Sequence, residues 1–177
     1  MTELISILND QTKKLIEKRK LLVTDLSETD SMDDVLKAAC NSLNLKQIAL
    51  VMEAVEEITR EGTVENSQAL LGFARKYICA DNNSLRREAS RVVGNLASKC
   101  PDQMKEIVPL LLQNAQNSST VIRWSGAYAL ARIVCLPEYA VTPLFNLVTD
   151  LSEKEKDNGV KNQYIGGLKK AKKFRPY

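Results

Sequence analysis

The chain has 177 residues, 44% hydrophobic and 27% charged, which is about one domain of ordinary globular composition and excludes wholesale disorder. Histidine is absent, which excludes His-dependent triads, His-ligated zinc and imidazole acid–base chemistry. The formal charge of +3 is unevenly placed: Lys161, Lys169, Lys170, Lys172, Lys173 and Arg175 follow one another without an acid, whereas Asp25, Glu28, Asp30, Asp33 and Asp34 face no base.

Residues 2–23 read as one helix, with Leu4, Leu8, Leu15, Ile16, Leu22 and Val23 apolar. Leu8, Leu15 and Leu22 recur every seven residues, the spacing of a helix that pairs with another protomer, and Ile5, Leu8 and Leu15 are the side chains such a partner would cover. The role expected of this helix is to cap the elements that follow, with pairing to another protomer as the rival. A weak helical pair follows over 31–61, with Leu45, Ala49 and Met52 on one stripe. Leu70, Leu71, Phe73 and Ile78 then mark an apolar helix over 65–79. Asn82, Asn83 and Ser84 break the chain, and Leu85, Ala89, Val92, Val93 and Leu96 line one face of the next helix. Met104, Ile107, Val108, Leu111 and Leu112 do the same over 102–115, and Ile122, Gly126, Ala129, Leu130 and Ile133 after the turn Asn117–Thr120. A helix over 138–151 carries Val141, Leu144, Phe145 and Val148, and the last begins near Val160. Ser84 and Thr120 are the expected N-caps. Pro101 and Pro137 open helices where the missing N–H is harmless. Pro109 and Pro143 fall inside them and should kink them.

The helices beginning at Leu45, Leu85, Ile122 and Val160 are spaced by about 38 residues. In the strong copies small or apolar residues fall at offsets 0, +4, +7, +8 and +11. The small residue at +4 admits a neighbouring helix closely, and the last copy departs there with Tyr164. The unit is therefore a helix–turn–helix that cannot bury its apolar face alone and must stack. In Val108-Pro109-Leu110-Leu111-Leu112, the polar turn, Val121-Ile122-Arg123 and Gly126-Ala127-Tyr128-Ala129-Leu130, the chain resembles the HEAT repeat family, close kin of armadillo repeats. Leu85-Arg86 and Val160-Lys161 repeat the apolar–basic opening of the second helix.

The resemblance covers about 31–173. It implies an all-α fold, a right-handed α–α superhelix: a short HEAT-like solenoid of about four helix pairs plus an N-terminal capping helix. The expected layout is one solenoid domain over 1–177. Residues 1–30 form the cap and acidic turn. Pairs occupy 31–61, 64–99, 101–135 and 137–173, with second helices at 82–99, 120–135 and 159–173. In this family the turn often carries an Asp that pairs with the Arg along the stack; Asp81 and Asp157 lie near that position. Arg86 and Arg123 are accordingly assigned to structure between repeats.

The resemblance also implies that second helices line a concave face commonly used for binding. Offsets +2, +6 and +10, away from the apolar stripe, place Arg87, Arg91, Asn95, Trp124, Tyr128 and Arg132 on it. Trp, Tyr and Arg are enriched at binding hot spots, and they also grip phosphates or stack on bases. Lys169, Lys170, Lys172, Lys173 and Arg175 are candidate anion contacts.

Cys40, Cys79, Cys100 and Cys135 lack C-x-x-C spacing and read as reduced thiols in apolar helical contexts, which points to a cytoplasmic chain. No run of about 18 apolar residues is present, so no membrane association is expected. With no phosphate loop, nucleophile motif, metal cluster or cofactor motif, the expected function is a non-enzymatic scaffold or adaptor for a protein or peptide. The alternative is a nucleic-acid binder similar to the alkylpurine DNA glycosylases, which are HEAT-like. Against that alternative, Glu88 is the lone acid on the two strongest second helices, and its +3 offset turns it toward the flank. The residues name neither the partner nor an oligomeric state.

Overall fold

The computed structural model describes residues 2–62 and 64–175, and among these every regular element is helical. The chain folds as two compact units, one ending at Val92 and the other starting at Val93.

In the first unit, α1 (Thr2–Asn9) and α2 (Leu15–Glu28) replace the single helix expected over 2–23. The Asp10 carboxylate accepts from the Thr12 N–H at 2.9 Å and the Thr12 hydroxyl at 2.6 Å, and pairs with Lys13 at 2.5 Å. This local turn competes with helix propagation. Helix α2 restarts where Glu17 accepts from the Lys14 N–H at 2.7 Å. The break divides the seven-residue series. Leu8 and Leu22 are buried in the chain's own core, while Leu15 is 71% exposed.

Helices α3 (Met32–Ser42) and α4 (Leu45–Glu61) form the weak pair. Asn44 accepts from the Lys46 and Gln47 N–H groups, and Gln47 accepts from the Asn44 N–H, closing a capping box. Helix α4 stops at Gly62, whose φ of +86° suits glycine. Helix α2 packs on α4, and α3 on α5 (Ser67–Arg75). Helix α6 (Asn83–Leu96) begins in this unit and ends in the second. Its cap is Asn82, which accepts from the Leu85 N–H at 3.0 Å, so Ser84 lies inside the helix.

The second unit centres on α8 (Thr120–Ile133), which packs against α7 (Pro101–Ala115) and α11 (Asn158–Ala171). Thr120 is already helical, and the side chain that orders this turn is Asn117, which accepts from the Ser119 N–H at 2.9 Å. Pro101 and Pro137 open helices as their sequence positions require.

The two interior prolines behave differently. Helix α7 runs unbroken through Pro109. At Pro143 the helix expected over 138–151 divides into α9 (Pro137–Ala140) and α10 (Leu144–Lys154). Proline disfavours helical backbone in the residue before it. Here Thr142 takes up a turn instead, its hydroxyl donating to Tyr139 O at 2.7 Å and accepting from the Leu144 N–H at 3.3 Å. A 3₁₀ turn, Lys172–Phe174, follows α11.

Helices approach closely at glycines. A Cβ at Gly126 would lie 3.1 Å from Ala115 N, consistent with the small residue at +4. The tighter contact is elsewhere: a Cβ at Gly167 would lie 2.5 Å from Ala131 O.

Candidate interaction face

The candidate residues fall in both units. In the first, Arg87 and Arg91 are engaged by a carboxylate that the helical offset alone turned toward the flank. Glu88 is 3% exposed; it meets Arg87 Nε at 2.6 Å and Arg91 Nη1 at 2.9 Å. Arg91 Nη2 also meets Glu56 at 2.8 Å, and Glu56 is buried as well. Arg19 of α2 meets Glu57 at 3.2 Å and Glu53 at 3.9 Å. Burial pushes the Glu53 carboxyl above its ordinary range, the Glu88 charge adds to this, and Arg19 and Arg87 oppose it. These groups link α2 with α4 and α4 with α6, so Arg91 helps hold the unit together.

The acidic stretch borders a cleft of about 500 Å³ in this unit. Leu26, Met32 and Ile58 line it together with Glu28, Asp30, Glu61 and Glu65.

In the second unit, Trp124, Tyr128 and Arg132 stack along α8. The Trp124 and Tyr128 rings lie 5.4 Å apart and 27° from parallel. The Arg132 guanidinium carbon sits 3.4 Å from the Tyr128 ring centre. Residues four apart are neighbours on a helix, and this spacing makes the column. A stacked guanidinium on an aromatic face is a favourable cation–π contact. Tyr128 is 8% exposed, more buried than its offset implied. Gly94 leaves the space, since a Cβ there would lie 3.0 Å from the Tyr128 ring. The Tyr128 hydroxyl donates to Asn95 Oδ1 at 2.6 Å. Four candidates thus converge: Asn95 orients Tyr128, Tyr128 carries Arg132, and Trp124 closes the other end. Arg132 is exposed and Trp124 partly so.

Among the candidate anion contacts, Lys169, Lys170, Lys172 and Lys173 are exposed. Arg175 is different: it donates to Ala140 O at 2.8 Å and lies 4.1 Å over the Phe145 ring, which ties the end of α11 to α9 and α10. Lys170, Arg132 and Lys173 all stand near enough to Cys135 to favour its thiolate, although burial dominates and holds that thiol above its ordinary range. The Cys135 thiol donates to Ala131 O at 2.9 Å. Cys79, expected in an apolar helical setting, is exposed and lies outside the helices.

Arg123 has the structural role expected of it. Its acidic partner is Glu155, with Nε–Oε2 at 2.9 Å, and its Nη1 donates to the Asn117 and Ser118 carbonyls. Asp157 instead caps α11, accepting from the Val160 N–H at 2.9 Å. The family resemblance pointed to an aspartate; the three-residue charged turn before α11 held the signal for a glutamate.

Residues 83–133 match the family model described as HEAT-like repeat. No curated protein matches the chain in sequence. Solved structures that share its fold include three proteins made by engineering or design. An engineered protein from a structural genomics consortium is 15% identical over 97% of this chain and 89% of its own, with a TM-score of 0.65. A second engineered protein is 19% identical over 96% of this chain and 47% of its own, also at 0.65. A designed armadillo repeat protein, solved in complex with the peptide (KR)4, is 15% identical over 96% of this chain and 86% of its own, at 0.66. With every regular element among the described residues helical and a HEAT-like repeat matched at 83–133, the chain has the fold of a helical repeat solenoid.

Proposed function

We propose that this chain is a non-enzymatic scaffold that binds a protein or peptide segment along the outer row of α8. The stacked column Trp124–Tyr128–Arg132 carries this reading. It brings together the side-chain types that dominate binding hot spots, and it holds them in one arrangement before any partner arrives. The fold likeness to a designed armadillo repeat protein in complex with a peptide supports it. The four free cysteines fit a reducing, cytoplasmic setting.

The test is peptide-display selection on the purified protein, followed by affinity measurement of the selected peptides on a Trp124→Ala/Arg132→Ala variant. Arg91 is unsuited to this test because its pairing with Glu56 and Glu88 makes it structural. A loss of tenfold or more with unchanged circular dichroism is expected. Selected peptides that bind the variant and the parent equally would overturn the reading.

A further inference from the structure

We infer that the segment bound on α8 pairs an apolar side chain with an acidic cluster that begins about four residues away. This rests on the scaffold reading above and assigns the chemistry of the partner.

The charge distribution points to acid. From Val93 onward the chain has twelve basic and seven acidic residues, whereas the residues before it have thirteen basic and fifteen acidic. Residues 120–133 and 158–175, which comprise α8, α11 and the 3₁₀ turn, hold eight basic residues and no acid. Arg123 is matched by Glu155, and Arg175 is held by Ala140 O and Phe145. Arg132, Lys169, Lys170, Lys172 and Lys173 make no ion pair among the described residues. Of these, Arg132 and Lys170 lie on α8 and α11, which meet at Cys135, whose thiol donates to Gly167 O at 3.3 Å, and the charges of Lys170, Arg132 and Lys173 all favour the Cys135 thiolate.

The column sets the spacing. Trp124 and Arg132 are eight residues apart on one helix, about 12 Å at 1.5 Å per residue. An extended peptide spans that distance in about four residues. Its apolar side chain would rest against Trp124, and its carboxylates would meet Arg132, Lys170 and Lys173. The Arg132 guanidinium carbon sits over the Tyr128 ring and its Nη1 donates to Tyr128 O at 3.4 Å, which leaves Nε and Nη2 for a carboxylate.

The same geometry disfavours a nucleic acid. Base stacking needs open aromatic faces. The Tyr128 ring has Trp124 four residues before it and Arg132 four residues after it, and it is buried.

The experiment measures fluorescence anisotropy of a labelled peptide, Ser-Phe-Ser-Ser-Ser-Glu-Glu-Asp, on the full chain at 25 and 250 mM salt. Comparison probes are Ser-Phe-Ser-Ser-Ser-Lys-Arg-Lys, the peptide (KR)4 and a 16-mer of deoxythymidine. Binding of the acidic peptide at micromolar concentration, weakened at least fivefold by the higher salt and at least tenfold by Lys170→Glu/Lys173→Glu, is the expected result. Acidic-peptide binding that the double variant leaves unchanged would overturn the assignment. So would absence of acidic-peptide binding at 25 mM salt, or tighter binding of the deoxythymidine 16-mer. If a basic probe binds instead and Trp124→Ala/Arg132→Ala abolishes it, the acidic assignment falls while the scaffold reading stands.

Discussion

Arg123 and Glu155 face each other through two parallel contacts, Nε–Oε2 at 2.9 Å and Nη2–Oε1 at 3.2 Å. Glu155 also accepts from the Lys156 and Asp157 N–H groups at 2.9 Å each. The pair therefore joins the start of α8 to the turn that launches α11. Arginine is suited to this role because its planar fork matches a carboxylate.

Glu155→Gln should destabilise the protein by about 1.5–3 kcal/mol, the range for hydrogen bonds to charged groups. The Arg123 guanidinium and the two backbone donors hold the Glu155 carboxyl below the ordinary carboxylate range. Its contribution to stability is therefore full above the unfolded value, about pH 4.3, and is lost as pH falls through the folded value. Chemical denaturation from pH 7 to pH 3 should show a smaller acid-side loss in the variant than in the parent.

Gly166 and Gly167 should respond oppositely to alanine. A Cβ at Gly167 would meet Ala131 O at 2.5 Å and Ala131 Cα at 2.7 Å, whereas one at Gly166 meets nothing within 4 Å. Gly167→Ala should cost about 1–3 kcal/mol through overpacking. Gly166→Ala should stabilise by about 0.5–1 kcal/mol, since alanine loses less backbone freedom in a helix. Thermal melts of the two variants check the difference in sign.

Two buried tyrosines give a second opposed pair. The Tyr128 hydroxyl donates to Asn95, whereas the Tyr164 hydroxyl is buried with no hydrogen-bond partner. Tyr128→Phe should destabilise by about 1 kcal/mol, and Tyr164→Phe should be neutral or stabilise by about 1 kcal/mol. Burial holds the Tyr164 phenol above its ordinary range. Its stability contribution is present below about pH 10 and is lost as pH rises, because the unfolded chain ionises first. Denaturation at pH 8 and pH 10.5 should find Tyr164→Phe less sensitive to alkali than the parent.

Glu88→Ala should leave two partly buried arginines without their shared carboxylate. Removing one partner of a fully buried pair costs about 3–5 kcal/mol, and the partial exposure of Arg87 and Arg91 reduces this to about 2 kcal/mol. Urea unfolding measures it, and a change below 0.5 kcal/mol, about the size of an ordinary surface substitution, would show that the network is not structural.

The helical class, the repeat, and the positions of α6, α7, α8 and α11 were legible in the sequence. Period-3.6 apolar spacing, polar turns and first-turn prolines act locally, and they recur in each copy. The +4 glycine of α8 was legible for the same reason. Element ends were less so: Asn82 and Asn117 took the turns assigned to Ser84 and Thr120, because several adjacent residues can each accept a backbone N–H. Pro109 and Pro143 looked alike in sequence and differ because Thr142 offers its neighbours a turn. Only tertiary structure decided which charges work within the chain. Helical phase turned Glu88 toward the flank, and packing of α4 beside α6 buried it between arginines. Phase likewise pointed Tyr128 outward, and the missing side chain at Gly94 drew it in beneath Arg132. Spacing along one helix fixes direction, but a neighbouring helix fixes what each side chain meets there.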